Sequence, residues 1–412
     1  MTPRLRILVA TPLPSTVTGG IEEYAYGVIA ALRARGHEVT VITTRYGHAA
    51  RDEGRSPSLT VLDSKEVLGR PLCYRPLAMV KILSLVRRSD VVHVHMPFPF
   101  VEAWVAGAAK LMGKPVVVTY HMDALVDEVD KGPVNVLHRL AAQVYRRSSA
   151  IPAVELADRV CTNTEAYARQ SLVLRDRMDR VLVVHQGIDA RKFEYGSRTK
   201  SEELRRRLLG SEYRELVCFV GRLVPYKGLQ VLLEGIRTLN RSQTLFVIGG
   251  RGTEEARLRR VIADHHLTNV RLIGYVPDDE LVDLFGAADL VVAPSLSALE
   301  STPITLLYAR AVGVPVVGTD VGGTAESIPN DGAAGLIVRA GDSRALAEAI
   351  GRLLDLDGAR PPPAAPRFWS NVADEYDRVV GELWERRSGG APAHPDMPPV
   401  SYPGSTKIGG GK

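Results

Sequence analysis

The stretch APSLSALESTPITLLYARAVGVPVVGTDVGG, residues 293–323, predicts a strand, a loop, a helix, a second strand and a second loop. We expect the helix to begin near Ile304, with Thr302 as its N-cap and Pro303 at its first helical position. The start of a helix presents unpaired N–H groups and a partial positive charge, which suit a phosphate. Glu300 precedes it and can accept hydrogen bonds from hydroxyls. The stretch therefore indicates either a site for a phosphorylated sugar or an ordinary capped helix of an α/β domain.

Length and composition indicate a globular protein of two domains. A chain of 412 residues exceeds a typical single core, and its 45% hydrophobic and 24% charged residues are ordinary for soluble proteins. No apolar run reaches 18 residues, and the N-terminal MTPRLRILVATPLP predicts a buried strand rather than a signal peptide. We therefore expect a cytoplasmic protein, with peripheral contact at the inner membrane face as an open alternative.

Charge and cysteine content narrow the ligand classes. A net charge of +5 is compatible with anionic small molecules or an anionic membrane surface. It argues against nucleic acid as a partner, because the arginines are spread along the chain without a motif of stacking aromatic residues. Cys73, Cys161 and Cys218 lie far apart, and the last two sit in strand-like runs. Buried thiols are favoured over a disulfide or a metal site.

Both halves of the chain alternate strands with helices, which predicts two doubly wound, Rossmann-like α/β domains facing across a cleft. The first half has a helix at 21–36 and an irregular polar segment at 46–75, and its main strands are predicted at 6–11, 91–95, 115–120, 159–162 and 181–185. The second half has strands predicted at 216–222, 244–250, 270–275, 290–295 and 314–319. The domain boundaries are predicted at 1–188 and 189–366, followed by a helix at 367–386 and a disordered tail at 388–412.

Two short loops carry the clearest ligand signals. Arg222 and Lys227, in GRLVPYKG, directly follow a strand and could clamp a diphosphate, although solvated surface charges are the common alternative. Gly19 and Gly20 stand between a strand and a helix, where glycine permits positive φ and close approach to a ligand, or simply makes a tight turn.

Three histidines and two other segments are weaker candidates. His121 follows a strand and could donate a hydrogen bond or move a proton, but a lone histidine is more often structural. His93 and His95 should share one strand face, and packing near a sheet edge is favoured over a metal pair. The Asp355-Leu356-Asp357 triplet ends a helix, so we do not expect it to bind metal. The segment 75–88 could form a basic amphipathic helix at a membrane, or pack on its own sheet.

Several stretches of the sequence together carry a resemblance to a known enzyme family. In order along the chain they are TGGIEEYAYGVIAALRARGHEVTVIT, GKPVVVTYHMD, QGID, FVGRLVPYKGLQVLLEGI, GYVPDDELVDLFGAADLVVAPS, the Glu300 segment, VGG and FWSNVADEYDRV. The chain thus resembles family 4 of the retaining glycosyltransferases, which have the GT-B fold, from Arg6 to Trp384. The resemblance implies that the first domain binds an acceptor hydroxyl and the second a nucleoside-diphosphate sugar. It also implies that the last helix crosses back to the first domain, and that no cofactor or divalent metal is needed.

The resemblance also implies roles for individual residues. The cations matching Arg222 and Lys227 bind the donor diphosphate, and the carboxylate matching Glu300 contacts the transferred hexosyl group. The histidine matching His121 lies near the reacting centre. The remaining donor-site positions implied are Gly19, Gly20, Gly221, Gly250, Val276, Thr302, Ile304, Thr305 and Tyr308. Attack is expected on the front face of the sugar, with the donor phosphate accepting the acceptor's proton.

The chain departs from the family pattern at one important position. The second glutamate of the family motif, which holds the ribose hydroxyls, is Tyr308 here. Pro303 stands where the family commonly has glycine, and Gln186 where it often has asparagine. A degenerate homologue that binds a nucleotide or sugar without turnover therefore remains an alternative, as does a nucleotide-sugar epimerase on the same fold. A dinucleotide oxidoreductase is disfavoured because the G-x-G-x-x-G fingerprint is missing.

Overall fold

The computed structural model describes residues 3–12, 19–44, 58–62, 65–67, 70–72, 76–123, 134–239, 241–356 and 360–387. These residues form two parallel β-sheets, of seven and six strands. The prediction of two Rossmann-like domains is confirmed.

The first sheet is parallel throughout and lies in the first half of the chain. The strands of this half are β1 (Arg6–Ala10), β2 (Glu38–Thr44), β3 (Leu59–Leu62), β4 (Lys65–Val67), β5 (Arg70–Leu72), β6 (Val91–Met96), β7 (Val116–Tyr120), β8 (Arg159–Thr162) and β9 (Val181–Val183). The sheet order is β3-β2-β1-β6-β7-β8-β9, while β4 and β5 pair as a separate antiparallel hairpin.

Helices cover both faces of this sheet. They are α1 (Gly20–Ala34), α2 (Pro76–Arg88), α3 (Val101–Leu111), α4 (Val134–Tyr145), α5 (Ile151–Leu156) and α6 (Glu165–Gln170), with a π-helical turn at Arg146–Ala150 between α4 and α5. Successive residues of a strand point to opposite faces, so Ile7 and Val9 pack in one core while Leu8 and Ala10 pack in the other. Burial on both faces explains why strands such as RILVA are continuously apolar.

The second domain repeats the plan. Its strands are β10 (Glu215–Val220), β11 (Thr244–Gly249), β12 (Val270–Gly274), β13 (Leu290–Ala293), β14 (Val316–Thr319) and β15 (Gly335–Val338), ordered β12-β11-β10-β13-β14-β15 and all parallel. The helices are α7 (Arg191–Tyr195), α8 (Arg198–Leu209), α9 (Leu229–Leu239), α10 (Glu255–Asp264), α11 (Asp278–Ala287), α12 (Ile304–Ala311), α13 (Thr324–Ser327) and α14 (Ser343–Leu354).

The strand order places a crevice at a definite point of the second sheet. From β10 the chain runs outward to β11 and β12, then returns to place β13 on the other side of β10. Loops after β10 and β13 therefore leave in opposite directions, and such switch points are where ligands bind in open α/β sheets. Arg222 and Lys227 follow β10, and Glu300 follows β13.

The last helix, α15 (Trp369–Arg387), belongs spatially to the first domain. Val372, Tyr376 and Val380 are fully buried in the core that also contains Ile7 and Val9. The Tyr376 hydroxyl lies 2.7 Å from the Thr119 hydroxyl and 3.0 Å from that of Tyr24. The predicted crossing of the C-terminal helix back to the first domain is confirmed.

Several side chains join the two domains directly. The Thr164 hydroxyl donates to the carbonyl of Ser301 at 3.2 Å. The Ala166 amide donates to the Glu326 carboxylate at 2.7 Å. The Gly322 amide donates to Oε1 of Gln170 at 3.0 Å. The cleft between the sheets is thus bridged by hydrogen bonds from α6 and the loop before it.

Some details of the predicted layout are wrong. The segment 46–75 is not wholly irregular, because β3 adds to the edge of the first sheet beside β2. β15 and α7 were absent from the predicted elements. Helix α2 packs Ile82 and Val86 into the core but leaves Val80 and Leu83 exposed, and nothing in its structure tests a membrane contact. Within the described ranges, no helix is both long and apolar enough to span a membrane.

The prediction of buried, unpaired thiols is confirmed for the two cysteines that the structure describes. Cys161 and Cys218 are free and fully buried. Cys73, Asp357 and the segment 388–412 lie outside the described residues. Asp355, just beyond α14, forms an ion pair with Arg241.

Candidate active site

The loop after β10 folds back tightly toward the loop after β13. Pro225–Lys227 form one turn of 3-10 helix, and Gly228 ends it with φ 69°. A Cβ atom at Gly228 would overlap the carbonyl oxygen of Pro294. Only glycine combines the left-handed backbone with this close approach. The turn places Lys227 against the β13 loop.

Lys227 and Glu300 form an ion pair in this crevice. The Ser295 hydroxyl also donates to Oε2 of Glu300 at 3.1 Å. Burial lowers the pKa of Lys227, but the Glu300 carboxylate and Tyr226 raise it by more, so the ammonium group stays charged. Glu300 is 6% exposed, so the pair is largely removed from water. The structure thus brings together the two predicted residues that lie 73 positions apart.

Arg222 lies beside this pair. Its guanidinium donates to the Tyr226 hydroxyl at 3.0 Å. Burial lowers the pKa of Arg222, while Tyr226 and the carboxylates of Glu22 and Glu300 raise it by more. Two cations therefore face two carboxylates, and the crevice is close to electrically neutral before any ligand enters.

The helix start next to Glu300 differs from the prediction in its cap. Helix α12 begins at Ile304 as expected, but Pro303 occupies the N-cap position with ψ 88°, not the first helical position. Thr302 is not the cap, because its hydroxyl donates to the Ser301 carbonyl at 2.7 Å. The amides of Ile304 and Thr305 lie in the first turn, where a helix offers no internal acceptor. This helix start therefore offers backbone amides and has no side-chain cap.

Tyr308 is fully buried at the domain boundary. Its hydroxyl donates to Oε1 of Glu23 at 2.8 Å and accepts from the Asp189 amide at 2.9 Å. The Lys192 ammonium lies 5.0 Å from the ring centroid and 3.4 Å from Oε2 of Glu23. Phe193 stacks on the ring at 5.8 Å between centroids. In this conformation the hydroxyl is fully used within the protein, so the expectation that it faces a nucleotide is not supported.

Gly19 and Gly20 lie at the start of α1, the helix that reaches the cleft. Gly19 has φ −175° and Gly20 is the first residue of α1, so the prediction that this pair uses positive φ is wrong. A Cβ at Gly19 would meet only the end of the Glu22 side chain, which can move aside, so the backbone here does not demand glycine. In this first turn of α1, the Glu22 carboxylate interacts electrostatically with Arg222, and the Glu23 carboxylate accepts a hydrogen bond from the Tyr308 hydroxyl.

Gly221, Gly250 and Val276 meet at the carboxyl ends of β10, β11 and β12. The Gly221 amide donates to the Gly249 carbonyl at 3.0 Å, and the Gly250 amide donates to that of Gly274 at 2.6 Å. Gly250 has φ 135°, and a Cβ there would overlap the Gly221 carbonyl. Val276 packs against Gly249. These residues lie next to the loop after β10, which carries Arg222 and Lys227.

The three histidines lie together in the first domain. His93 and His95 share one face as predicted, but the expected sheet-edge position is wrong, because β6 lies between β1 and β7 and both rings are fully buried. His121, 2% exposed, shares a hydrogen bond of 3.0 Å between its Nε2 and Nδ1 of His95. Burial lowers the pKa of His93 and of His121 to about 3, so both rings are neutral.

Comparison with known proteins identifies the family. Residues 200–364 match the model described as Glycosyl transferases group 1, and residues 18–192 match Glycosyltransferase Family 4. A D-inositol 3-phosphate glycosyltransferase of Acidothermus cellulolyticus is 31% identical over 370 residues, covering 82% of this chain and 78% of that protein. This chain belongs to the GT-B glycosyltransferase family.

Other relatives of this glycosyltransferase support the same assignment. The O-antigen chain mannosyltransferase C of Escherichia coli is 27% identical, over 81% of this chain and 84% of that protein. The crystal structure of Anabaena HepE in complex with UDP and glucose superposes with a TM-score of 0.65 at 20% identity. It covers 94% of this chain and 99% of that one, and at such identity the likeness concerns the fold alone.

The glycosyltransferase site contains residues that the sequence did not single out. Ser295 and Tyr226 hold Glu300 and Arg222 in place, and Glu22 and Glu23 bring α1 to the cleft. The acidic pair at the start of α1 was a usable signal, because carboxylates in a first helical turn often serve the helix dipole or a ligand. Within the described part of the chain, no cluster of three His, Cys, Asp or Glu side chains could hold a metal.

Proposed function

We propose that this glycosyltransferase moves a hexosyl group from a nucleoside-diphosphate sugar to an acceptor hydroxyl, with retention of anomeric configuration and without a divalent metal. The observation that carries the proposal is the Lys227–Glu300 ion pair in the β10–β13 crevice, with Arg222 and the start of α12 beside it. Cations and free amides suit a diphosphate, and the carboxylate suits sugar hydroxyls.

The chemistry follows from where charge develops. Cleavage of the sugar–phosphate bond leaves a nucleoside diphosphate with added negative charge. Arg222, Lys227 and the amides of Ile304 and Thr305 would stabilise that charge without rearrangement. Loss of one such contact costs about 3 kcal/mol of barrier, or roughly 100-fold in rate.

The retaining route is proposed as front-face attack rather than double displacement. A double displacement needs a free carboxylate as the nucleophile. Glu300 is already bound by Lys227 and Ser295, which favours a role in holding sugar hydroxyls. The donor phosphate then accepts the proton of the acceptor hydroxyl. NMR of the product tests retention, which gives the same anomer as the donor. A covalent glycosyl intermediate on Glu300, detected by mass spectrometry, would contradict front-face attack.

The phosphate clamp is tested by Arg222→Ala and Lys227→Ala. We expect each variant to fold normally and to lose about 100-fold or more in transfer rate. Arg237→Ala is a matched control, because Arg237 is an exposed arginine on α9 of the same domain. Full activity in both clamp variants would refute the assignment.

One observation favours a second candidate, a homologue that binds its nucleotide or sugar without turnover. Tyr308 uses its hydroxyl on Glu23 and the Asp189 amide, so ribose recognition from this position is absent in this conformation. Calorimetry with a panel of nucleoside diphosphates, combined with a donor-hydrolysis assay, separates the two. Binding with no hydrolysis and no transfer would support the second candidate.

A further inference from the structure

His95 and His121 form a buried pair at the carboxyl edge of the first sheet. Their rings are nearly parallel, with 9° between the planes and 5.2 Å between the centroids. Nδ1 of His95 and Nε2 of His121 lie 3.0 Å apart and share one hydrogen bond. Burial lowers the pKa of His121 to about 3 and that of His95 well below 6.5, so both rings are neutral.

The shared bond couples the tautomers of the two rings, because a neutral imidazole has one donor and one acceptor nitrogen. If His95 donates through Nδ1–H, the proton of His121 lies on Nδ1 and Nε2 of His95 is bare. If His121 donates through Nε2–H, the reverse holds. Nε2 of His95 and Nδ1 of His121 are buried and have no hydrogen-bond partner among the residues that the structure describes. The direction of one bond thus decides which of these two atoms carries an N–H group.

The positions of the two rings favour the proton on Nδ1 of His121. An unpaired N–H group inside a protein is rarer than an acceptor without its full set of partners. His95 lies in β6, between β1 and β7, whereas His121 follows the end of β7. The N–H group is therefore expected on His121, at the sheet edge, where a ligand could accept from it. This arrangement requires His95 to donate through Nδ1.

His121 has two neighbours that contact the second domain. Tyr120 pairs with Thr162 in the β7–β8 register, so His121 and Asn163 follow side by side. The Asn163 amide donates to the hydroxyl of Ser301, the residue after Glu300, at 3.4 Å.

The other neighbour is the first turn of α1. The Tyr24 ring lies edge-on to the His121 ring, with 4.9 Å between centroids. Glu22, two positions before Tyr24, interacts electrostatically with Arg222. His121 is therefore placed at the crevice from two sides.

His93 is fully buried on the same strand face but is fixed in a different way. Its Nε2 lies 2.7 Å from the Thr119 hydroxyl. From there a chain of hydrogen bonds runs through the hydroxyls of Tyr376 and Tyr24 to the carbonyl of Val184. A carbonyl only accepts, so each hydroxyl must donate toward it and His93 must donate through Nε2–H. His93 thus helps to attach α15 and takes no part in the histidine pair.

We propose that His95 is a positioning residue for the transfer reaction. Its Nδ1–H group holds His121 in the tautomer whose own Nδ1–H donates to an oxygen of the transferred sugar. The inference rests on the proposed function, because that sugar is the hexosyl group of the donor. His95 itself does not touch the sugar. A donor fixed in this way needs no rearrangement when the sugar arrives.

Long-range proton–nitrogen NMR of the full chain, labelled with 15N at its histidines, shows which nitrogen of His121 carries the proton. The chain has ten histidines, so the signals are assigned through their loss in His121→Gln. We expect Nδ1–H in the wild type and in His95→Asn, whose amide nitrogen can replace the Nδ1 donor. His95→Leu should lose the pure Nδ1–H pattern. His93→Leu is the matched control, because it also replaces a fully buried histidine of β6, and it should keep Nδ1–H.

Donor hydrolysis, which needs no acceptor, connects the tautomer to function. The probes are UDP and GDP, alone and as their glucose and mannose conjugates. We expect His95→Leu to hydrolyse the donor about 10-fold more slowly, the usual effect of losing one neutral hydrogen bond, with nucleoside-diphosphate binding unchanged. His95→Asn should restore hydrolysis, and His93→Leu should keep it despite a lower thermal midpoint.

The proposal is overturned by a proton on Nε2 of His121 in the wild type, or by an unchanged tautomer or unchanged hydrolysis in His95→Leu. An equal loss of hydrolysis in His93→Leu also overturns it, because the effect would then be one of any substitution in this core. The wild-type tautomer tests the proposal even if His95→Leu does not fold. A wild type that neither binds nor hydrolyses any probe contradicts the proposed function instead, and NMR still decides whether His95 fixes His121.

Discussion

Substitution of Tyr308 by phenylalanine should loosen the contact between the two domains. The ring would stay, so its packing against Phe193 and Lys192 is kept. Only the hydroxyl is removed, which leaves the Glu23 carboxylate without its 2.8 Å donor and the Asp189 amide without its 2.9 Å acceptor. Both groups lie at a boundary from which water is largely excluded, since Tyr308 has no exposed surface.

The expected magnitude follows from these two bonds. A hydrogen bond to a charged group contributes about 1.5–3 kcal/mol, and a neutral one about 1 kcal/mol. Lys192 remains 3.4 Å from Glu23 and limits the loss. We therefore expect Tyr308→Phe to lower the free energy of unfolding by about 3 kcal/mol. For a domain of this size that corresponds to a fall of roughly 6–12 °C in the thermal midpoint.

Calorimetric unfolding of the two proteins side by side measures this loss. Tyr213→Phe is the matched control, because its exposed hydroxyl makes one hydrogen bond of 3.2 Å to the Thr268 carbonyl. The control should change stability by less than about 0.5 kcal/mol. A double-mutant cycle with Glu23→Gln should show that the two effects are not additive. If Tyr308→Phe is as stable as the control, the hydroxyl does not join the domains as argued.

Two further predictions concern burial and backbone strain. Burial raises the pKa of Glu102 from 4.5 to about 8, so the folded state holds its proton and stability falls as pH rises through that window, by at most about 1.4 kcal/mol per unit. Glu102→Gln should remove this loss of stability. The urea midpoint of the variant minus that of the wild type should therefore grow from pH 5 to pH 8. A difference that stays constant over this range would contradict the assignment. Gly228→Ala should cost several times more stability than Gly341→Ala, because both glycines have positive φ but only the first has no room for a Cβ against Pro294. Equal thermal midpoints for the two variants would show that the contact with Pro294 is not tight.

The fold could be predicted from the sequence because most strands are buried on both faces. Runs such as VVVTY and LVCFV have no polar alternation, and helices with one apolar stripe separate them. Arg222 and Lys227 could be picked out because they directly follow such a run, and the strand order then fixes which loops meet. The edge strand β3, only LTVL, carries too little pattern to be found.

The features that sequence missed depend on distant residues. Tyr308 could be recognised as unusual, but its partner Glu23 lies 285 positions away, and no local pattern connects them. Pro303 was placed one position too far into the helix because its ψ depends on the loop before it.

Helix α15 has a consequence for the order in which the protein can be completed during synthesis. The sheet of the second domain ends at Val338, well before the ribosome adds Trp369–Arg387. The first domain is translated earlier. However, part of the sheet face that carries Ile7 and Val9 stays uncovered until Val372, Tyr376 and Val380 have been translated. The part of the chain that is translated first is therefore the part that is finished last. A nascent chain must keep that apolar flank from other proteins for nearly the whole of its synthesis.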